Sequence, residues 1–99
     1  AGAEEDFGEA IRQAPHQAES YKARGSLRFD RKRYREALQD FEAALRIREN
    51  DAFSLLRCGV ANLWLGQVEA GIRDIEASLR VRPDQPDALQ ERSAARARS

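Results

Sequence analysis

Shifted by 34 residues, the sequence falls on itself: residues 18–51 align with residues 52–85, and nine of the 34 positions are identical. These are Ala18/Ala52, Ser20/Ser54, Gly25/Gly59, Asp40/Asp74, Glu42/Glu76, Ala43/Ala77, Leu45/Leu79, Arg46/Arg80 and Arg48/Arg82. Other positions keep their character, among them Tyr21/Leu55, Phe29/Leu63, Leu38/Ile72, Phe41/Ile75 and Ile47/Val81. The register also runs past both ends. Asp6, Phe7, Ala10, Ile11 and Arg12 match Asp40, Phe41, Ala44, Leu45 and Arg46, while Leu89 and Ser93 match Leu55 and Gly59. A period of this length throughout a chain implies a stack of like units, each burying an apolar face that it cannot bury alone.

Each period divides into two helices. Residues 34–47 place Tyr34, Ala37, Leu38, Phe41, Ala44, Leu45 and Ile47 three and four apart, which makes one buried helical face. Residues 18–30 carry Tyr21, Gly25, Leu27 and Phe29. The polar run Arg31-Lys32-Arg33 is the turn between them, matched by Leu65-Gly66-Gln67 in the next period. Asn50-Asp51 gives a helix-start signal before Ala52, and Pro83 and Pro86 bracket the last inter-repeat turn. No segment alternates with period two, so the reading is all-α with about six helices. At 99 residues there is room for one core.

The 34-residue helix-turn-helix unit resembles the tetratricopeptide repeat (TPR). The resemblance is carried by small residues early in the first helix (Gly25, Gly59) and in the second (Ala37 and Ala44; Gly71 and Ser78). Phe41 and Ile75 stand between the latter, and proline closes the unit at Pro83 and, in the partial repeat, at Pro15. It implies a right-handed α-solenoid of antiparallel helix pairs in a single domain over residues 1–99. Residues 1–17 would hold the second helix of a truncated repeat (about 3–13), 18–51 repeat one, 52–85 repeat two, and 86–99 a capping helix (about 86–97). Arg24 and Arg28 stand where the family usually has large apolar or aromatic residues, and Glu49 where it has proline. Looser packing of the first repeat's opening helix on its predecessor is expected from these departures. The N-terminal helix has lost its own partner, so part of the surface of Phe7 and Ile11 is expected to be bare. The absence of an initiator methionine reads as a piece of a longer protein.

Catalytic chemistry finds no constellation here. The single histidine, His16, lies in the Pro15-His16-Gln17 turn, away from any nucleophile-base arrangement. The six glycines are scattered and none precedes Lys-Ser/Thr, so no phosphate-binding loop is present. Glu4-Glu5 reads as favourable charge near a helix N-terminus rather than an acid-base couple. Cys58 falls at a core position and reads as a small buried hydrophobe. One cysteine excludes an internal disulfide, and no Cys/His spacing suggests a metal site. The chain is therefore read as no enzyme, with no cofactor and no metal. An intracellular, cytoplasmic setting is expected from the cysteine usage, and the acidic N-terminus is unlike a secretory signal.

Function is sought on the surface. The resemblance implies a non-catalytic protein–protein interaction module, a scaffold or adaptor binding a peptide or amphipathic segment in the concave groove lined by the first helices of each pair. By the family's pattern that groove holds Glu19, Lys22, Ala23, Ser26, Phe29 and Asp30, then Phe53, Leu56, Arg57, Val60, Leu63 and Trp64, then Asp87, Gln90, Glu91 and Ala94. The partner-binding set singled out is Lys22, Ser26, Phe29, Phe53, Leu56, Arg57, Val60, Leu63 and Trp64. Phe53, Leu56, Val60, Leu63 and Trp64 form one apolar stripe on a helix that also needs Leu55, Cys58, Gly59 and Ala61 for packing. Such a stripe is either covered by neighbours or open to a partner, and Trp64 is the natural anchor if it is open. Repeats that clamp the terminal carboxylate of heat-shock chaperones use Lys and Asn, then Asn, then Lys and Arg. The corresponding residues here are Lys22, Ser26, Arg57, Asp87 and Glu91. Two acids in place of two bases argue against a chaperone clamp.

Two other readings concern charge and self-association. Net charge is zero, with 17 basic and 17 acidic residues, so the whole chain has no footprint for nucleic acid or an anionic membrane. Residues 21–35 nevertheless net +6: Lys22, Arg24, Arg28, Arg31, Lys32, Arg33 and Arg35 against Asp30. Residues 1–20 net −4. The basic segment would hold RNA or an acidic partner, or pair internally with Glu4, Glu5, Asp6 and Glu9. A homodimer through the apolar groove or the cut repeat ends is the remaining alternative.

Overall fold

A computed structural model describes residues 2–98. They form six helices: α1 (Gly2–Gln13), α2 (Ala18–Asp30), α3 (Tyr34–Ile47), α4 (Ala52–Trp64), α5 (Val68–Val81) and α6 (Pro86–Arg98). No strand occurs among the described residues. The helix pairs stack into an all-α solenoid with principal extents of 41 × 25 × 19 Å. None of the described helices is long and apolar enough to cross a membrane.

The turns inside the two pairs share one geometry. At the end of α2 the Arg33 amide donates to Arg28 O at 2.9 Å and the Lys32 amide to Phe29 O at 2.9 Å. At the end of α4 the Gln67 amide donates to Asn62 O at 2.8 Å and the Gly66 amide to Leu63 O at 3.0 Å. This nested pair of bonds satisfies the last helical carbonyls and requires a left-handed residue just beyond the helix. Gly66 supplies it at φ +82°, whereas in the first repeat Lys32 supplies it at φ +64°. Chain reversal within three residues then brings α3 against α2 and α5 against α4.

Small residues set how closely the helices of each pair approach. A Cβ at Gly25 would lie 3.0 Å from Phe41 Cζ, and one at Gly59 would lie 2.6 Å from Ile75 Cγ1 and 2.9 Å from Gly71 O. Phe41 and Ile75, the repeat-equivalent pair, are the largest fully buried side chains. Around Phe41 pack Ala37, Leu38, Cys58 and Ala61; around Ile75 pack Leu63, Leu79, Ala88 and Ala95. Cys58 is buried, and burial pushes its thiol far above the usual range. The capping helix buries Ala88 and Ala95, while Leu89 stays exposed.

Arg24 and Arg28 have a specific partner. Asp40 is buried on α3 and accepts hydrogen bonds from Arg24 Nε (3.0 Å), Arg24 Nη2 (2.7 Å) and Arg28 Nη1 (3.2 Å). Arg28 also reaches Glu4 on α1 at 3.1 Å, and Arg33 and Arg31 join it at 2.7 and 3.3 Å. In place of apolar side chains, an ion-pair chain thus ties α1, α2 and α3 together. No side chain of α1 is fully buried, and Phe7 and Ile11 are half-covered. At the equivalent place in the second repeat Asp74 receives, among the described residues, only the Asn62 amide, at 2.9 Å. Burial raises its pKa above the ordinary Asp value despite that bond.

Candidate functional site

Helices α2, α4 and α6 line one side of the stack and enclose a cleft of about 250 Å³. Its walls are Phe29 from α2, Leu56, Arg57, Val60 and Trp64 from α4, and Asp87, Gln90 and Glu91 from α6. One turn further along, a second cleft of about 460 Å³ lies between Val60, Trp64, Gly66, Glu91 and Arg98, with Leu63 at its base. Trp64 is the ridge between the two and is 63% exposed.

The ridge is held from behind. Tyr34, the first residue of α3, stacks on Trp64 with centroids 5.3 Å apart and planes 6° from parallel. Phe29 meets Tyr34 edge-on at 5.1 Å. These contacts fix the indole orientation while leaving its other face open, which suits a rigid apolar anchor. Tyr34 is a residue that sequence reasoning assigned only to the packing face of α3. Its position directly after the first turn, opposite the end of the next first helix, was the available signal.

Arg57 supplies the cation of the cleft. Its guanidinium lies 4.5 Å from the Phe29 ring centre, 5.7 Å from that of Phe53 and 5.9 Å from that of Phe41. It makes no ion pair or hydrogen bond among the described residues, and Nε is buried without an acceptor. Cation–π contacts stabilise its position without satisfying its donors. Asp87 and Glu91, on the opposite wall, are likewise in no ion pair among the described residues.

The structure thus places five of the nine singled-out residues on the walls of the first cleft, Leu63 at the base of the second, and Lys22, Ser26 and Phe53 outside both. Phe53 is 43% exposed at the rim, edge-on to Phe41 at 6.0 Å and beneath Lys22 at 5.3 Å. Lys22 is held by Asp51 at 2.9 Å, and burial and hydrogen bonds from Lys22 and Ser54 act in opposite senses on Asp51, leaving its pKa below the ordinary value. Ser26 is half-buried on α2 and outside the cleft wall. Leu63 is only 5% exposed: it packs over Gly71 in the core and reaches only the second cleft. Four residues beyond Gly59, it shares the helix face that meets α5 rather than the face that lines the first cleft.

The basic segment 21–35 is largely spoken for. Lys22 pairs with Asp51, Arg24 with Asp40, Arg28 with Asp40 and Glu4, Arg31 with Glu4, and Arg33 with Glu4 and Glu36. Burial would raise the Glu4 pKa, but hydrogen bonds from Arg28 and Arg33 outweigh it and hold it below the ordinary Glu value. Of the acids expected to pair with this segment, Glu4 does so, and Glu9 is taken by Arg12 on its own helix.

Comparison with known proteins follows this geometry. Residues 18–51 match the model of the tetratricopeptide repeat. The first TPR of Spaghetti (RPAP3) bound to the HSP90 peptide SRMEEVD has a TM-score of 0.92 at 20% identity, covering 95% of this chain and 75% of that one. The second TPR domain of human RPAP3, in complex with the HSP70 peptide SGPTIEEVD, has a TM-score of 0.90 at 22% identity, covering 94% and 78%. The Arabidopsis OM64 TPR domain follows at 0.89 and 23%, covering 92% and 75%. No curated protein matches the chain in sequence.

Proposed function

Taking the chain as what these likenesses make it, a stack in the tetratricopeptide-repeat fold, we propose that it is a non-catalytic interaction module holding a linear segment of a partner protein in the cleft between α2, α4 and α6. The single observation that carries this reading is Trp64: a large aromatic, braced by Tyr34, left 63% exposed between two clefts. An exposed, rigid aromatic flanked by Val60, Leu56 and Phe29 is the composition of a binding hot spot rather than of an ordinary solvated face. Two neighbours of the same fold hold chaperone peptides ending in EEVD. That ligand class does not suit this cleft, because Asp87 and Glu91 would face its acidic end and Lys22 is already engaged by Asp51. Polyanion binding along 21–35 is also disfavoured, since its arginines at 24, 28, 31 and 33 are neutralised internally.

Trp64 is the only tryptophan, so its fluorescence reports on its own site. Peptides selected for binding from a random linear library are titrated against the wild type with emission followed. The same peptides are then tested by calorimetry on a Trp64→Ala/Phe53→Ala double variant. Binding that perturbs Trp64 and is lost in the double variant is the expected result; equal retention by both proteins rules the cleft out.

A further inference from the structure

Resting on that reading, we infer that the segment held in the cleft is basic and apolar: a lysine or arginine flanked by apolar side chains, within an internal stretch of the partner. The cleft opposes one cation to two acids. Arg57 stands on the α4 wall and Asp87 and Glu91 on the α6 wall, with no ion pair between them. Asp87 and Glu91 have no counter-ion among the described residues, and they are the two acids that line this cleft. A basic side chain entering the cleft supplies that charge, and its aliphatic stem lies along Trp64 and Val60, where the cation also gains from the open indole face. The apolar neighbours of that side chain fill the spaces on either side of the Trp64 ridge. Arg57 meets no acceptor among the described residues; its Nε is buried, so the terminal guanidinium nitrogens are the donors left for the main-chain carbonyls of an extended segment. The demand of the α6 acids is opposite to that of a terminal carboxylate, which Asp87 and Glu91 would repel.

The test uses three capped heptapeptides in a glycine-serine frame, with centres leucine-lysine-leucine, leucine-norleucine-leucine and leucine-glutamate-leucine. Each is titrated to millimolar concentration while Trp64 emission and amide NMR shifts are recorded. The lysine peptide should bind about tenfold more tightly than the glutamate peptide, with the neutral one between them and the gap closing at high salt. In an Asp87→Lys/Glu91→Lys variant, verified as folded by circular dichroism, the order should reverse; Glu91→Gln alone should halve the gap or more. Equal affinity for all three peptides, or preference for glutamate, overturns the basic-segment inference while leaving the cleft as a binding site. Absence of any perturbation at Trp64 overturns both. Concentration-dependent dimerisation that shields Trp64 and is unaffected by the peptides makes a second copy the occupant and also overturns the inference.

Discussion

Replacing Gly59 with alanine adds one methyl group at the tightest point of the second helix pair. The new Cβ would lie 2.6 Å from Ile75 Cγ1, 2.9 Å from Gly71 O and 3.1 Å from Ile75 N. Two of these obstacles are backbone atoms of α5, so relief requires α4 and α5 to separate rather than a side chain to rotate. Overpacking of this kind costs about 1–3 kcal/mol, and the upper half of that range applies here. Against it stands a gain of about 1 kcal/mol from replacing glycine by alanine within a helix. The net loss is then about 1–2 kcal/mol, equivalent to a Tm lower by roughly 5–15 °C for a domain of this size. Gly25→Ala is the internal control. There the nearest atoms are Phe41 Cζ at 3.0 Å and Asp40 Cβ at 3.1 Å, both side-chain atoms. Cost and gain should nearly cancel, within about 1 kcal/mol of wild type. Thermal and urea unfolding followed by circular dichroism measures both. A Gly59→Ala protein as stable as wild type, or a larger loss at Gly25 than at Gly59, would refute the claim that a backbone-limited approach governs the second pair.

Other consequences follow from the repeat's own symmetry. Lys32 occupies the left-handed turn position that Gly66 fills in the next repeat, so Lys32→Gly should stabilise the fold by about 0.5–1 kcal/mol in urea unfolding; destabilisation would show that the Lys32 side chain makes a contribution the turn geometry does not explain. Asp40→Ala removes three hydrogen bonds, stranding the Arg24 guanidinium and leaving Arg28 with Glu4 alone, and should cost about 2–4 kcal/mol, whereas a loss below about 0.5 kcal/mol would show the network to be dispensable. Asp74 has a folded-state pKa raised above the ordinary 3.8, chiefly by burial. Its ionisation therefore destabilises the fold as pH rises through and above that value. Asp74→Asn, which keeps an acceptor for Asn62, should match wild type in acid and exceed it at neutral pH; a pH-independent difference would sink this assignment. The Cys58 thiol, buried and shifted upward, should react with a thiol reagent at pH 8 only at the rate of unfolding.

What the sequence alone determined was whatever depends on neighbours along the chain. The period of 34 located the turns at 31–33 and 65–67 and the helix pairs at 18–30 and 34–47, because backbone turn chemistry and three-four apolar spacing are local. It also placed Phe41, Ile75 and Cys58 inside, and Trp64, Leu56, Val60 and Arg57 on the first-helix face that became the cleft. Only the tertiary structure decided how those faces were shared among neighbours. Arg24 and Arg28 read as intrusions into a packing surface until α3 brought Asp40 beneath them. Leu63 belonged to the apolar stripe by spacing, yet the Gly59–Gly71 approach drew its side of α4 under α5. Tyr34 became the brace of Trp64, and Ala88 and Ala95 rather than Leu89 became the buried face of α6. A helical pattern specifies the angle of a side chain around its own axis. Which neighbour covers that angle is settled by crossing geometry and interhelical distance, and those are properties of the packed stack.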